Sequence, residues 1–332
     1  MIFGEKTMVD QYSVIIKEAW EIMAQEPTVW DFIELKDRAF YYKINQEKIF
    51  LSSFKSNDLP SSPYSLTLLG KVLTKLSTLA NIMSRRPGTE EVTFYVMLNS
   101  PQPGLLGKIV DTKMLKVAAP PLVWRRQQIR ETITKKVKEY TEKNQSFFFL
   151  DIGSGAGFDS LEIERLIHRV NELSENCFDK SYRSLNIDID KKWLNNNQVI
   201  AEKLFGLNHQ IVTENISIFD FWKKSQKFNV DQYSNLIISC NGFAEFLSDI
   251  ELRKLYEEIN KFIQDFEGHV DVILPFANKN KEQETLGKKI GFQFQAKEKQ
   301  EIINMIKEIF INCKVTYCEK YSHIVMTVEK NS

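Results

Sequence analysis

Phe147-Phe148-Phe149-Leu150-Asp151-Ile152-Gly153-Ser154-Gly155-Ala156-Gly157-Phe158 is the stretch from which the fold can be read. Its first four residues are apolar and mostly aromatic, the pattern of a strand buried on both faces. Three alternate glycines then end the run, and a helix opens whose register is set by Leu161, Ile163, Leu166 and Ile167. Glycines at such a bend let the chain turn tightly and let a ligand approach the backbone without a Cβ in the way. A strand, a tight turn and a helix form the first unit of a doubly wound sheet.

Downstream the same alternation repeats. The β-rich runs SLNIDID, HQIVTENI, YSNLIISCN and HVDVILPF are separated by helical segments, one of them over Ser248 to Phe266. After a helix from Lys297 to Ile311, KVTYCEK and HIVMTVEK read as a terminal hairpin. The fold class predicted is α/β: a doubly wound, seven-stranded, mostly parallel sheet finished by an antiparallel hairpin. Upstream, LVWRRQQIRETITKKVKEY forms a helix that leads into the first strand. Residues 1–120 are expected to be a mainly helical lid or cap, and residues 121–332 the Rossmann-like domain. Within the cap, Val14, Ile15, Ala19, Ile22 and Met23 fall at helical spacing, as do Leu66, Leu69, Leu73, Leu76 and Ala80. Trp30 to Phe54 reads as a second helical segment, although FYYKI fits a strand equally. Ser56 to Pro63 is a breaker cluster, and the proline- and glycine-punctuated stretch Pro87 to Pro121 is expected to be loops with short elements.

Forty-four basic residues balance 44 acidic ones, so no overall field recruits nucleic acid or an anionic membrane. No window approaches a spanning helix, and the start MIFGEKTMVDQY lacks the pattern of a signal peptide. Cys177, Cys240, Cys313 and Cys318 form no CxxC pair, and the four histidines are scattered, which argues against a zinc site. The expectation is a cytoplasmic protein with reduced thiols and no metal.

The glycine turn has two rival readings. A dinucleotide fingerprint, GxGxxG, is met by Gly153 and Gly155, but its third place falls on Phe158, too large for the close helix–strand packing needed there. The third glycine comes one place early, at Gly157. Asp151, two residues before the first glycine, also opposes a pyrophosphate, because like charges repel in a partly desolvated pocket. It favours a cationic ligand. S-adenosylmethionine carries an ammonium and a sulfonium and no phosphate.

From Phe147 to the end, the sequence resembles the class I, Rossmann-like S-adenosylmethionine-dependent methyltransferases, with Asp151 to Gly157 matching their first motif. The resemblance implies S-adenosyl-L-methionine as cofactor, held at Asp151, Gly153, Ser154, Gly155, Gly157 and Phe158. Asp188, followed by Ile189, would bond the ribose hydroxyls at the end of the next strand, while Asp190 caps the following helix. Gly157 and Asp188 stand further apart than usual, which implies an insertion around Ser174 to Lys180. Asn215 and Ile216 would bracket the adenine. Ser239, Cys240, Asn241 and Glu245 fall in the segment resembling the fourth motif, where cofactor and acceptor meet; Asn241 and Glu245 are the catalytic candidates. On the residues alone, Asn241 also reads as a turn residue and Glu245 as a solvated one.

Arg126 falls on the apolar stripe Leu122, Ile129, Ile133, Val137 and Tyr140, with Arg130 at its edge. A buried guanidinium needs a carboxylate, which suggests the cofactor's or the substrate's; snorkelling from the helix end is the alternative. No histidine lies near the fourth motif in sequence, which favours N- or C-methylation of a small molecule over metal-dependent O-methylation. Two other functions fit the same pocket: a cyclase or aminobutyryl transferase that attacks the arm of S-adenosylmethionine and releases methylthioadenosine, and a non-catalytic cofactor-binding protein. The partners expected are a small-molecule substrate, no nucleic acid and no membrane, with a homodimer through the cap as an option.

Overall fold

Asp37 and Arg38 have φ of 50° and 61°, the pair of left-handed residues that a two-residue type I′ hairpin requires. They join β1 (Ile33–Lys36) to β2 (Ala39–Ile44), which pairs in turn with β3 (Glu47–Ser53) in an antiparallel three-stranded sheet. This is seen in a computed structural model, described for residues 14–54, 66–85, 89–101, 105–174, 178, 180–242, 244–281, 284–285 and 295–331. The helix expected within Trp30 to Phe54 is therefore a meander, with FYYKI as its central strand. Its inward positions Ala39, Phe40 and Tyr42 bury against the helices that follow.

Those helices are α1 (residues 14–23), α2 (Leu68–Leu76), α3 (Thr78–Arg85) and α4 (Glu90–Leu98). Next comes α5, which runs unbroken from Leu105 to Glu142. The loops expected over Pro87 to Pro121 are thus α4 and the first half of α5. Pro120 and Pro121 sit inside α5, and the division expected at 120/121 falls within it. The breaker cluster at Ser56 to Pro63, Cys177, and most of the insertion around Ser174 to Lys180 lie outside the described residues.

The large sheet has the expected seven strands. β4 (Phe147–Ile152), β5 (Tyr182–Asp188), β6 (Ile211–Asn215), β7 (Asn235–Ser239) and β8 (His269–Ala277) are parallel. The hairpin β9 (Lys314–Lys320) and β10 (His323–Lys330) adds antiparallel strands, in the order β6-β5-β4-β7-β8-β10-β9. β4 alternates between two cores. Phe147 and Phe149 pack with Ile129, Ile133 and Val137 of α5 and with α6 (Phe158–Leu173). Phe148 and Leu150 face Leu252, Leu255 and Ile259 of a helix at Asp249–Asp265. The strand order reverses between β4 and β7, and at the carboxyl ends of such neighbours an open α/β sheet leaves a crevice for a ligand.

Helix α7 (Lys191–Phe205) follows β5, capped by Asp190, whose side chain accepts from the Lys192 amide at 3.0 Å. The third core joins the amino-terminal elements to the sheet unit. Phe40, Tyr42 and Phe94 bury there with Phe158, Trp193 and Ile200. Phe158 is its centre, with ring centroids 4.5 Å from Trp30, 5.4 Å from Phe94 and 5.7 Å from Tyr42. The residue that breaks the dinucleotide pattern therefore fastens the cap.

Candidate active site

The turn after β4 is held by its own backbone. The amides of Gly153 and Ser154 donate to the Ile187 carbonyl at 2.9 and 3.1 Å, and the amide of Gly155 donates to the Asp188 carboxylate at 2.8 Å. Gly155 has φ +55°, and a Cβ there would stand 2.2 Å from Oε1 of Glu90. Gly157 has φ +61°, and a Cβ there would meet the side-chain amides of Asn186 and Asn197 at 2.4 and 2.6 Å. Both positions need glycine twice over, for conformation and for space.

Above this turn lies a cavity of about 500 Å3, within the range of small-molecule sites. The sheet side of its wall includes Asp151, Gly153, Ser154, Gly155, Asp188, Ile189, Ile216, Asn241 and Glu245. Arg126 lines it too. Five of the expected residues do not. Gly157 caps α6, Phe158 points into the cap core, and Ser239 and Cys240 are buried in and just after β7. Asn215 is exposed and donates its amide to the Asp188 carbonyl at 3.0 Å, so it braces the strand end.

The roof comes from the cap: Met83, Thr89, Glu90, Val92 and Thr93, together with Val117, Ala118, Pro121, Leu122 and Arg125 of α5. Glu90, Arg125 and Asp159 escaped the sequence reading. Glu90 is separated from the glycine turn by about sixty residues and had no local motif to mark it. Arg125 is one residue off the apolar stripe, yet it is buried and ion-paired to Glu245. Asp159 lies in the first turn of α6, where the helix dipole favours any acid. It accepts from Arg126 at 3.2 Å and from the Asn241 side-chain amide at 3.3 Å. Arg126 thus meets carboxylates of its own chain, Asp159 and, at 3.8 Å, Glu90, and lies 4.3 Å over the Trp30 ring.

No histidine lies near the fourth motif in sequence, yet His323, at the start of β10, lines the cavity. It lies more than seventy residues beyond the fourth motif, and the antiparallel return of β10 beside β8 brings it there. It is buried, neither ring nitrogen has a partner, and burial with the nearby Arg125 charge pushes its pKa well down. It stands as a neutral imidazole facing the cavity.

Charge in the site is lopsided. Glu90, Asp151, Asp188, Asp190 and Glu245 line it against Arg125 and Arg126. Burial, then the Asp159 charge, pushes the Asp151 carboxyl well up. Burial raises Asp188 as well, against three backbone amides that stabilise its charge. Glu90 is pushed up to about 7, by burial and by Asp159, Asp188 and Glu91, against the pull of Arg126. One oxygen each of Glu90, Asp151 and Glu245, and the Ser154 hydroxyl, are buried without a partner. Such atoms are costly unless a ligand meets them. The arrangement fits a ligand rich in positive charge.

No protein-family model matches the chain, and no curated protein sequence matches it. Similar solved structures do exist. A putative methyltransferase from Thermobifida fusca is 12% identical, with a TM-score of 0.49 over 74% of this chain and 96% of that one. Magnesium protoporphyrin IX methyltransferase from Synechocystis, solved with SAH bound, is 12% identical, with a TM-score of 0.41 over 63% of this chain and 87% of that one. The YcgJ protein of Bacillus is 13% identical, with a TM-score of 0.40 over 61% and 99% of the respective chains.

Proposed function

We propose that the protein is an S-adenosylmethionine-dependent transferase that methylates a small molecule under the helical cap. The observation that carries this is the pair of buried, partnerless carboxylate oxygens of Asp151 and Glu90 beside a glycine turn, in a cavity where acids outnumber bases. An ammonium and a sulfonium would draw the protons off these carboxyls and be held by the charges so formed, whereas a phosphate would be opposed by any of them that ionised. The backbone of Gly153 to Gly155, with Asp151 and Glu90, would hold the methionyl end. Asp188 would take the ribose hydroxyls, and Ile189 and Ile216 would flank the adenine. Arg126, already fixed to Asp159 and Glu90, orders those acids and presents its remaining face to the methionyl carboxylate.

When bound, S-adenosylmethionine supplies a methyl group already activated for in-line displacement. The protein's part is to position the acceptor, exclude water and accept a proton. Asn241, the Arg125–Glu245 pair and His323 form the polar end of the cavity suited to this, with Met83, Val117, Pro121 and Leu122 as apolar walls. Burial beside Arg125 disfavours the protonated form of His323, which suits it to orient an acceptor by a hydrogen bond, and the reading stays with the N- and C-methylation favoured by the sequence.

Calorimetry with S-adenosylmethionine, followed by analysis of the nucleoside product after incubation with candidate acceptors, tests the reading. S-adenosylhomocysteine supports methyl transfer, whereas methylthioadenosine would move the reaction to the aminobutyryl arm. No uptake of S-adenosylmethionine or S-adenosylhomocysteine by the wild type, or equal affinity in wild type and Asp151→Asn, would remove the basis of the proposal.

A further inference from the structure

We propose that the face formed by α2 and the first turns of α5 docks on an anionic lipid surface. The two helices pack against each other, and they leave apolar side chains in solvent. Leu68 is 82% exposed and Leu105 80%, and Leu69, Leu106 and Ile109 are exposed beside them. A cap helix ordinarily turns such residues inward. In α2 only Gly70 is fully buried, so this helix is apolar on its outer side as well.

The exposed charges carried by α2 and the first turns of α5 have one sign. Lys71, Lys75, Lys108, Lys113 and Lys116 are all exposed. Across residues 66–76 and 105–116 the sequence has a single carboxylate, Asp111, which is buried and accepts from the hydroxyls of Ser77 and Tyr95. In a chain with equal numbers of basic and acidic residues, this is a local excess that the whole-chain balance hides. Exposed leucines rimmed by lysines fit the boundary of an anionic bilayer, where the apolar groups enter the acyl region and the lysines meet the headgroups. A second copy of the same face fits poorly, because it would set lysine against lysine with no acid between them.

The placement also bears on the site. Helix α5 continues from this face into the cavity wall, and at 1.5 Å per residue Val117 lies about 12 Å beyond Ile109 along its axis. Docking by this face would hold the cavity close to the bilayer surface, where an acceptor dissolved in lipid is concentrated; this consequence alone rests on the methyl-transfer reading.

Sedimentation of the full chain with vesicles tests the docking without any cofactor. Binding is expected to phosphatidylglycerol-containing vesicles, to be weak on pure phosphatidylcholine, and to decline with rising salt. Leu68→Asp with Leu105→Asp, both at exposed helix starts, should lower the partition at least tenfold while the melting curve stays in place. Each Lys→Gln at the rim should lower it by about fivefold, the equivalent of roughly 1 kcal/mol per lysine. Equal partition on both vesicle types, absence of binding, or self-association that the Asp variants abolish would overturn the proposal. The last result would assign the face to a second copy.

Discussion

Glu90→Gln removes the charge from a carboxyl that titrates near pH 7 in the folded protein instead of near 4.5. Between those values the native state keeps a proton that the unfolded chain has released, so stability falls as pH rises through this window. The gap, at about 1.4 kcal/mol per pH unit, amounts to about 3 kcal/mol once the pH is well above 7. Glutamine has nearly the same shape and does not titrate. The variant should therefore match the wild type near pH 5 and exceed it by up to about 3 kcal/mol near pH 8.5. Arg126 keeps Asp159 as its partner in the variant, which limits the loss on that side. Denaturant unfolding at the two pH values reads the difference. The same variant should bind S-adenosylmethionine at least tenfold more weakly, because it lacks one of the charges that face the ligand. Equal stability gains at both pH values would refute the titration argument, and unchanged affinity would refute the role of Glu90 in holding a cation.

Because Glu90 titrates near 7 in the free site, binding a cation beside it should release its proton; calorimetry in buffers of different ionisation enthalpy near pH 6.5 should show net proton release, with affinity rising toward pH 8. S-adenosylhomocysteine, lacking the sulfonium, should release fewer. Gly155→Ala forces a residue with φ +55° to carry a Cβ into the Glu90 carboxyl, and should weaken nucleotide binding at least tenfold and cost roughly 1–3 kcal/mol of stability, read by thermal melts with and without nucleotide. At the far end of the sheet, Asp271 is buried against Lys136 at 2.7 Å, His269 at 3.2 Å and Tyr140 at 2.5 Å, contacts that outweigh burial and hold its carboxyl below the usual range. Asp271→Asn should cost about 3–5 kcal/mol at neutral pH without altering nucleotide affinity. The wild-type advantage should shrink as pH falls through the depressed pKa, which paired denaturation curves would show.

The strands of the large sheet could be read in advance because each is a short apolar run closed by turn residues, with both faces buried. The meander could not, since its tight turn is Asp37-Arg38, a pair without the usual glycine or asparagine. Glycine and proline likewise suggested loops in a region where burial of Met114 and Leu115 keeps α5 helical. In the site, Asp151, Gly155 and Asp188 were legible because a local turn determines where they sit. Glu90, Arg125 and His323 were not, because they meet only when the cap, the long helix and the last strand converge. Phe158 has a part the sequence does not show: its size excludes one cofactor motif, and the same ring packs at the centre of the cap core.

That packing bears on whether the cap is a separate domain. An internal proline removes an amide donor and crowds the carbonyl four residues back, so Pro120 and Pro121 leave the carbonyls of Lys116 and Val117 without helical partners. Seen alone, this weak point justifies a boundary at 120/121. The packing around it joins the two parts: Met114, Leu115 and Ala119 belong to the cap core, Ile129 and Ile133 to the core beneath the sheet, and Phe158, Trp193 and Ile200 complete the cap core from the other side. Cutting at 120 would expose those last three, at roughly 1.5–3 kcal/mol for each large apolar side chain. That loss is comparable with a typical domain's whole stability of about 5–15 kcal/mol. Residues 121–332 alone should therefore fail to fold stably, and the intact chain should unfold in one transition followed alike by tryptophan fluorescence and circular dichroism. Two separate transitions, or a stable fragment that still binds the nucleotide, would show that the shared core is dispensable and that the cap is an independent lid.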